Sequence, residues 1–320
     1  MSTIMKADPT QLTPYHTTFL TSIGFAVLTF TVSTLEGNLS QVDKLWSILP
    51  SVYAWICVTD SRTRLMAILS TLWSIRLTFN FYRRGGYSWP KVWLGEEDYR
   101  WNVIRRGTLG GWWTLLTQKW IMVVFNIVFI SLFQNWLLLW IASPSLVAWS
   151  VAIKATHCRN QYPYIKDGLN VLDGLASVLF LLALTVETIA DNQEYSFQTQ
   201  KRLHKQKSEK LDDFCRTGLF SIVRKPNYAA EQFLWLSYYL FSVAASYSLW
   251  NWSVGGSLAL CLLFQGSGWL TEKISVRKYP SYVEYQHSVP LYVPNFTMSL
   301  SYCGKNANES IVSQKKHKQQ

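Results

Sequence analysis

Long apolar runs separated by short charged stretches dominate this chain of 320 residues. A bilayer core of about 30 Å takes roughly 20 helical residues. By that measure the runs predict seven spans, near residues 17–35, 45–59, 63–82, 113–141, 168–190, 228–247 and 252–270. The expected fold is all-α: a polytopic membrane bundle of seven transmembrane helices over 17–294, after a polar segment at 1–16 and before a disordered basic tail at 295–320. The fourth run exceeds a single span. WIMVVFNIVFISLFQNWLLLWIA continues into SPSLVAWSVA, so hydropathy alone allows one tilted helix or two short ones.

Charge decides between them. One helix puts the basic stretches 83–106 and 200–210 and the Lys-rich tail on the same side of the membrane, whereas two would strand one basic loop opposite the other. The positive-inside rule then predicts an N-terminus that is outside or lumenal and a C-terminus in the cytosol. Of the four N-x-S/T matches, Asn38, Asn295 and Asn308 fall on the cytosolic side, and Asn251 lies too near the membrane for glycosylation. The last five residues, KHKQQ, are similar to a dilysine retrieval signal, which would place the protein in the endoplasmic reticulum.

Composition supports a membrane protein, with 49% hydrophobic, 15% aromatic and only 15% charged residues. The 16 Trp and 17 Tyr are the rings that collect at headgroup level. A mean hydropathy of +0.06 reflects dilution by polar loops and tail. The net charge of +11 sits between apolar segments rather than on one soluble domain, which argues against a nucleic-acid partner. Cys57, Cys158, Cys215, Cys261 and Cys303 have no metal-ligand spacing, so neither a zinc site nor a disulfide framework is expected. The N-terminus has no basic region leading into a short apolar run, so no cleaved signal peptide is expected.

Ionisable residues in apolar helices are costly and mark a site, a partner or a cavity. Glu187 and Asp191 share a helix face at the end of the fifth span, and Asn227 and Glu231 repeat the spacing at the start of the sixth. The two faces can converge on one pocket. The plainer alternative makes Glu187 and Asp191 a solvated helix end and RKPNYAAE (224–231) a positive anchor, which accounts for Arg224 and Lys225 but not for Asn227 or Glu231. Pro226 suits a first helical turn, whose amides can hold an anion beside the two cations. Arg76, two turns before the end of the third span, either snorkels or pairs with an acid or phosphate within the bundle. GEEDYRW (95–101) reads as an interfacial segment, with Glu96 and Glu97 on different faces. Gly266-Ser267-Gly268 reads as close helix packing by small residues. His157, His204 and His287 are isolated, and the G-x-S-x-G, P-loop and Rossmann motifs are missing.

GLFSIVRKPNYAAE resembles the G-L-[WF]-x-x-x-R-H-P-N-Y-x-G-[ED] signature of the membrane steroid reductase superfamily, which includes steroid 5α-reductases, sterol C14 reductases and a steroid-reductase-like membrane branch. DKLWSILPSVYAW (43–55), TLWSIRLTFNFYRRGGY with GEEDYRW (71–101), ETIADNQEYSF (187–197) and EKISVRKYPSYVEYQHSVPLYVP (272–294) extend the likeness over about 40–294. The resemblance implies NADPH held at the cytosolic end of a seven-helix bundle and hydride delivery to a conjugated double bond of a steroid or other lipophilic substrate, in lipid metabolism. It implies that Asn227, Glu231, Glu187 and Asp191 face the cofactor, that Arg224 helps hold its phosphates, and that Tyr228 and Arg76 line the cavity. Lys201, Arg202 and Lys205 are near enough in sequence to add charge. Tyr53 and Tyr82 are the candidate proton donors. Lys225 stands where the signature has histidine, and Ala230 where it has glycine. Two other readings compete: a membrane methyltransferase using S-adenosylmethionine, whose signature shares R-H-P-x-Y-x-G, and a non-catalytic lipid-binding or scaffold protein.

Overall fold

The computed structural model of the protein describes residues 13–88, 95–157, 168–206 and 213–295. The described residues are helical, with no strand among them. They form two compact units, one of residues up to Phe180 with Trp235–Cys261, the other of Leu181–Leu234 with residues from Leu262 onward. The tail from 296, with KHKQQ and Asn308, lies outside the described residues, as do Cys158 and Cys303.

The chain runs through α1 (Pro14–Glu36), α2 (Gln41–Trp46), α3 (Leu49–Ile56), α4 (Ser61–Arg83), α5 (Tyr99–Arg105), α6 (Lys119–Phe125) and α7 (Gln134–His157). It continues through α8 (Val171–Gln206), α9 (Pro226–Ser246), α10 (Val254–Lys278) and α11 (Tyr282–Ser288). Four helices are long and apolar enough to cross a membrane: Pro14–Glu36, Lys119–Thr156, Val171–His204 and Val254–Lys278. These are four of the seven expected spans, each longer than expected. The expected span at 45–59 is instead two short helices, because the chain turns at Ser47 and Ile48 and restarts with Pro50 in the first turn of α3. The spans at 63–82 and 228–247 are unbroken helices, α4 and α9, in which polar residues lower the hydropathy.

The long fourth run is one helical stretch, as charge predicted, and it continues through SPSLVAWSVA to His157 with Pro144 inside it. At 1.5 Å per residue its 38 residues measure roughly 57 Å, well beyond one hydrocarbon thickness. A π-helical segment, Asn126–Phe133, joins α6 to α7. It carries Asn126, whose amide donates to Ser33 of α1 at 2.9 Å. Further along, Ser22 of α1 donates to the Asn135 carbonyl at 3.2 Å, and the Asn135 amide to Thr29 at 3.3 Å. Small polar side chains thus join α1 to the fourth run, as suits helices surrounded by apolar neighbours.

The first unit is aromatic at its centre. Trp73 and Trp235 meet edge to face at 4.9 Å, and Tyr238 packs on Trp235 at 5.2 Å while its hydroxyl pairs with Ser145 at 2.7 Å. Gly256 lets α10 approach closely, since a Cβ there would lie 2.1 Å from the Trp140 carbonyl oxygen.

A capping box starts α4: the Asp60 carboxylate accepts from the Thr63 amide and Thr63 Oγ1 from the Asp60 amide, each at 2.9 Å. Within the first turn, Arg62 pairs with Asp173 of α8 through Nε and Nη2, at 2.8 and 2.9 Å. The Asp173 side chain has no exposure, and it also accepts from the Asn170 amide at 2.7 Å.

The loop after α1 is pinned by GEEDYRW. Glu97 accepts from the Leu39 amide at 2.8 Å and from Arg105 at 2.7 Å, while Glu96 is exposed on another face, as their adjacency predicts. Asp43, half-buried nearby, has its carboxyl pushed up to about 6. Burial is the main cause and the charge of Asp98 adds to it, with Arg100 and Ser40 offsetting part.

Arg62→Ala should destabilise the protein by about 3–5 kcal/mol, because it leaves a buried carboxylate without its cation. Thermal unfolding in detergent measures this, and Arg62→Leu with Asp173→Leu together should cost less than the single change. The folded Asp43 value lies above the ordinary 3.8, so the folded state holds this proton more tightly and stability falls as pH rises from about 4 through about 6. Asp43→Asn should remove that decline and raise the unfolding midpoint at pH 7.

Candidate functional site

The second unit brings ETIADNQEYSF and GLFSIVRKPNYAAE together. A turn of 3-10 helix, Gly218–Ser221, precedes α9. Gly218 holds a φ of +63°, and a Cβ there would meet the Gln193 amide nitrogen at 2.5 Å. Gln193 in turn accepts from the Leu219 amide at 2.9 Å. The first glycine of the motif is therefore fixed both by its backbone conformation and by the side chain laid against it. Pro226 opens α9, as its fixed φ allows.

This seating places the candidate polar groups. The Asn227 amide donates to Asp191 at 3.4 Å across α9 and α8. Glu187, Asp191 and Glu231 are 4%, 3% and 4% exposed, so none is a solvated helix end. The plainer reading of Glu187 and Asp191 is thereby overturned. Ala230 is buried as well, and Tyr228 packs on Phe264 at 4.7 Å with Lys225 lying 5.8 Å from its ring.

Arg224 stands differently. Its guanidinium pairs with Glu272 of α10 at 2.8 Å and donates to the main-chain carbonyls of Gln286, at 2.8 Å, and Val289. Glu272 also accepts from Tyr282 and from Gln286, each at 2.6 Å. The amides of Arg224 and Lys225 donate to the carbonyls of Pro290 and Leu291, at 2.8 and 3.1 Å. Residues 289–292 form a strap, which ends with Tyr292 donating to the Phe264 carbonyl at 2.6 Å. Its hydroxyl occupies the place of a side chain on Gly268, 2.0 Å from where a Cβ would stand, while Gly266 has open space. Gly268 thus serves the approach of a tyrosine, not of another helix.

Two tyrosines here are held more firmly in the protonated form, Tyr282 and Tyr292. Burial, then the charge of Glu272 and the hydrogen bond to it, push the Tyr282 hydroxyl well above its usual value against the opposing pull of Arg224. Burial and then Tyr228 do the same for Tyr292. Tyr279 is shifted the other way. Burial would raise it, but hydrogen bonds from Lys278 and Lys201 and their charges outweigh that and lower it.

Of the remaining candidates, Tyr53, Tyr82 and Arg76 lie in the first unit. Tyr53 is fully buried in α3, whereas Tyr82, at the end of α4, is 56% exposed. Arg76 is half-buried in α4. Arg202 is exposed at the end of α8, and the side chain of Lys205 lies outside the described residues. Among the described residues no group of three His, Cys, Asp or Glu could hold a metal ion, and Cys57 and Cys261 are free thiols. Sequence reasoning gave no separate role to Gln193, Gly218, Glu272, Tyr282, Gln286 or Tyr292. Their signal was position, since all lie in the stretches that carry the family likeness.

The model of a family described as a protein of unknown function, DUF1295, matches residues 29–289. The chain belongs to the DUF1295 family. It is similar to the uncharacterized protein C594.04c of Schizosaccharomyces pombe, with 36% identity over 283 residues, 82% of this chain and 74% of that one. No solved structure matches the chain. The DUF1295 match contains Asn227, Asp191, Arg224 and Glu272, and ends at Val289, the first residue of the strap.

Gly218→Ala should cost about 1–3 kcal/mol, from positive-φ strain and displacement of Gln193. Thermal unfolding of the full chain in detergent measures it, and adding Gln193→Ala should recover only the steric part.

Proposed function

We propose that this chain is a multi-pass membrane oxidoreductase that uses NADPH to reduce a conjugated double bond in a steroid or other lipophilic substrate, as its likeness to the membrane steroid reductase superfamily implies. The observation that carries the reading is the Asn227–Asp191 contact, which joins the two motifs 36 residues apart, with Glu187 and Glu231 buried in the same unit. Carboxylates and an amide withdrawn from water hold hydroxyl and carboxamide groups of a ligand better than they hold water. The donor set fits a dinucleotide: Asn227, Asp191, Glu187 and Glu231 for its polar groups, Tyr228 for a ring, and Lys225, Lys201 and Arg202 for phosphate charge. Arg224, neutralised by Glu272, supports the wall rather than supplying net charge. NADPH supplies the hydride; the residues orient it and exclude water. A tyrosine then supplies the proton. The candidates Tyr53 and Tyr82 both belong to the first unit, Tyr53 buried and Tyr82 exposed.

In this reading α4, α9 and the interrupted segment 45–59 that contains α3 also lie in the bilayer, completing seven passes. The basic loops and C-terminus are cytosolic, and the protein resides in the endoplasmic reticulum. Purified protein in detergent should bind NADPH, and Asn227→Ala or Glu231→Gln should weaken binding about tenfold or more, the effect of losing one buried polar contact. Fluorescence titration of the cofactor measures this. No dinucleotide binding at all overturns the proposal, and binding of S-adenosylmethionine in its place would favour the methyltransferase.

A further inference from the structure

The fourth membrane run is expected to begin near 113, yet its membrane-crossing helix starts at Lys119, and the residues before it take another course. Gly110 and Gly111, at φ of +69° and +63°, turn the chain into a short 3-10 helix, Gly111–Thr117. Residues three apart are eclipsed in such a helix, so Trp112 and Leu115 share one face and Trp113 and Leu116 another. The second face is the inner one. Leu116 is buried, as are Trp101 and Ile104 of α5, and Trp101 meets Phe125 of α6 edge to face at 6.1 Å. The first face is open: Trp112 is 61% and Leu115 51% exposed, and Trp120 just beyond is 67% exposed. Trp113 stacks on Trp112 at 4.0 Å and supports it from within.

The backbone of this segment is suited to poor hydration. Thr114 Oγ1 donates to the Gly111 carbonyl at 2.8 Å, and Thr117 Oγ1 to the Thr114 carbonyl at 2.7 Å, so two carbonyls are satisfied from within the segment. Gly107 brings the end of α5 against it, since a Cβ there would lie 2.9 Å from Thr117 Cγ2. That approach sets Arg106, beside Gly107, at the same end of the segment as Lys119, and both cations are exposed. Arg105 is engaged by Glu97. No acidic residue occurs in the sequence between Asp98 and Asp167. An open tryptophan and leucine face, flanked by cations at the foot of a membrane-crossing helix, is the pattern of a segment lying in the headgroup layer.

We propose that Gly111–Trp120 lies flat in the headgroup layer of one leaflet, with Trp112, Leu115 and Trp120 reaching the acyl boundary and Arg106 and Lys119 on the phosphates of anionic phospholipids. Zwitterionic lipids accommodate the rings equally well, so the cations decide the preference. Each basic residue held at an anionic surface favours it by roughly fivefold. This docking is independent of the reductase reading.

Photocrosslinking of the full-length protein tests this, with Leu115→p-benzoylphenylalanine in nanodiscs of equal parts phosphatidylglycerol and phosphatidylcholine and the adducts identified by mass spectrometry. Lipid adducts should form at position 115, with phosphatidylglycerol exceeding phosphatidylcholine by about fivefold or more. The same crosslinker at Leu182, exposed on the membrane-crossing α8, should capture the two lipids equally. Arg106→Gln with Lys119→Gln should abolish the excess at 115 while lipid adducts persist and the unfolding midpoint holds, and Arg106→Lys with Lys119→Arg should preserve it. Crosslinks from 115 to protein alone, or none to lipid, overturn the docking. Equal capture of the two lipids at 115, an excess as large at Leu182, or an excess that the Gln pair leaves intact overturns it as well.

Discussion

The carboxylate of Glu272 is the knot on which the second unit depends. It takes hydrogen bonds from Arg224 before α9, from Tyr282 in α11 and from Gln286 one turn later. Two stretches distant in sequence, the entry to α9 and α11, thus converge on two oxygens. Arg224 extends the knot to the carbonyls of Gln286 and Val289, so the strap and the entry to α9 are set by one ion pair. A buried pair rarely adds much net stability over an apolar replacement, but it is exacting about geometry. Its contribution here is register: with Arg224 fixed, Pro226 starts the helix at one residue, and Asn227 and Glu231 follow on one face.

The first unit obeys the same constraint by other means. Its polar groups lie among apolar helices, where an unmatched donor or acceptor is costly. Arg62 and Asp173 satisfy each other and draw in Asn170, while Asn126 and Asn135 are matched to hydroxyls on α1. The small side chains of Ser22, Thr29 and Ser33 allow that approach, and Gly256 allows another against Trp140. Apolar burial gathers these helices, and polar matching fixes how they pair.

Much of this was legible in the sequence because the relevant signals are local. Hydropathy located the long helices, the basic loops chose one run over two for the fourth, and an i, i+4 spacing put Glu187 with Asp191 and Asn227 with Glu231. The failures are equally physical. Hydropathy cannot see that Ser47 and Ile48 break a run, because helix interruption there is a matter of turn geometry and a following proline. Nor can it see that Tyr292 needs Gly268, a contact between residues 24 apart whose chain path depends on the Glu272 knot. Arg224 was read for its charge, and Glu272, 48 residues on, is what neutralises it.

That neutralisation has a consequence for any anionic ligand of this family. A cation held by a buried carboxylate and two carbonyls contributes little outward field, so the charge of a ligand has to be met by other cations. Lys225 lies against the ring of Tyr228, and Lys201 and Lys278 lie against the ring of Tyr279. Each of these cations rests on an aromatic face, a weaker hold than an ion pair and one that an incoming anion can join rather than displace. Lys225, standing where the signature has histidine, supplies a cation there without the imidazole that could shuttle a proton. Ala230, buried beside Glu231, occupies the small-residue position without a φ that would demand glycine. Both departures from the reductase signature are thus compatible with an intact wall, and they place the distinctive chemistry of this chain in its lysines.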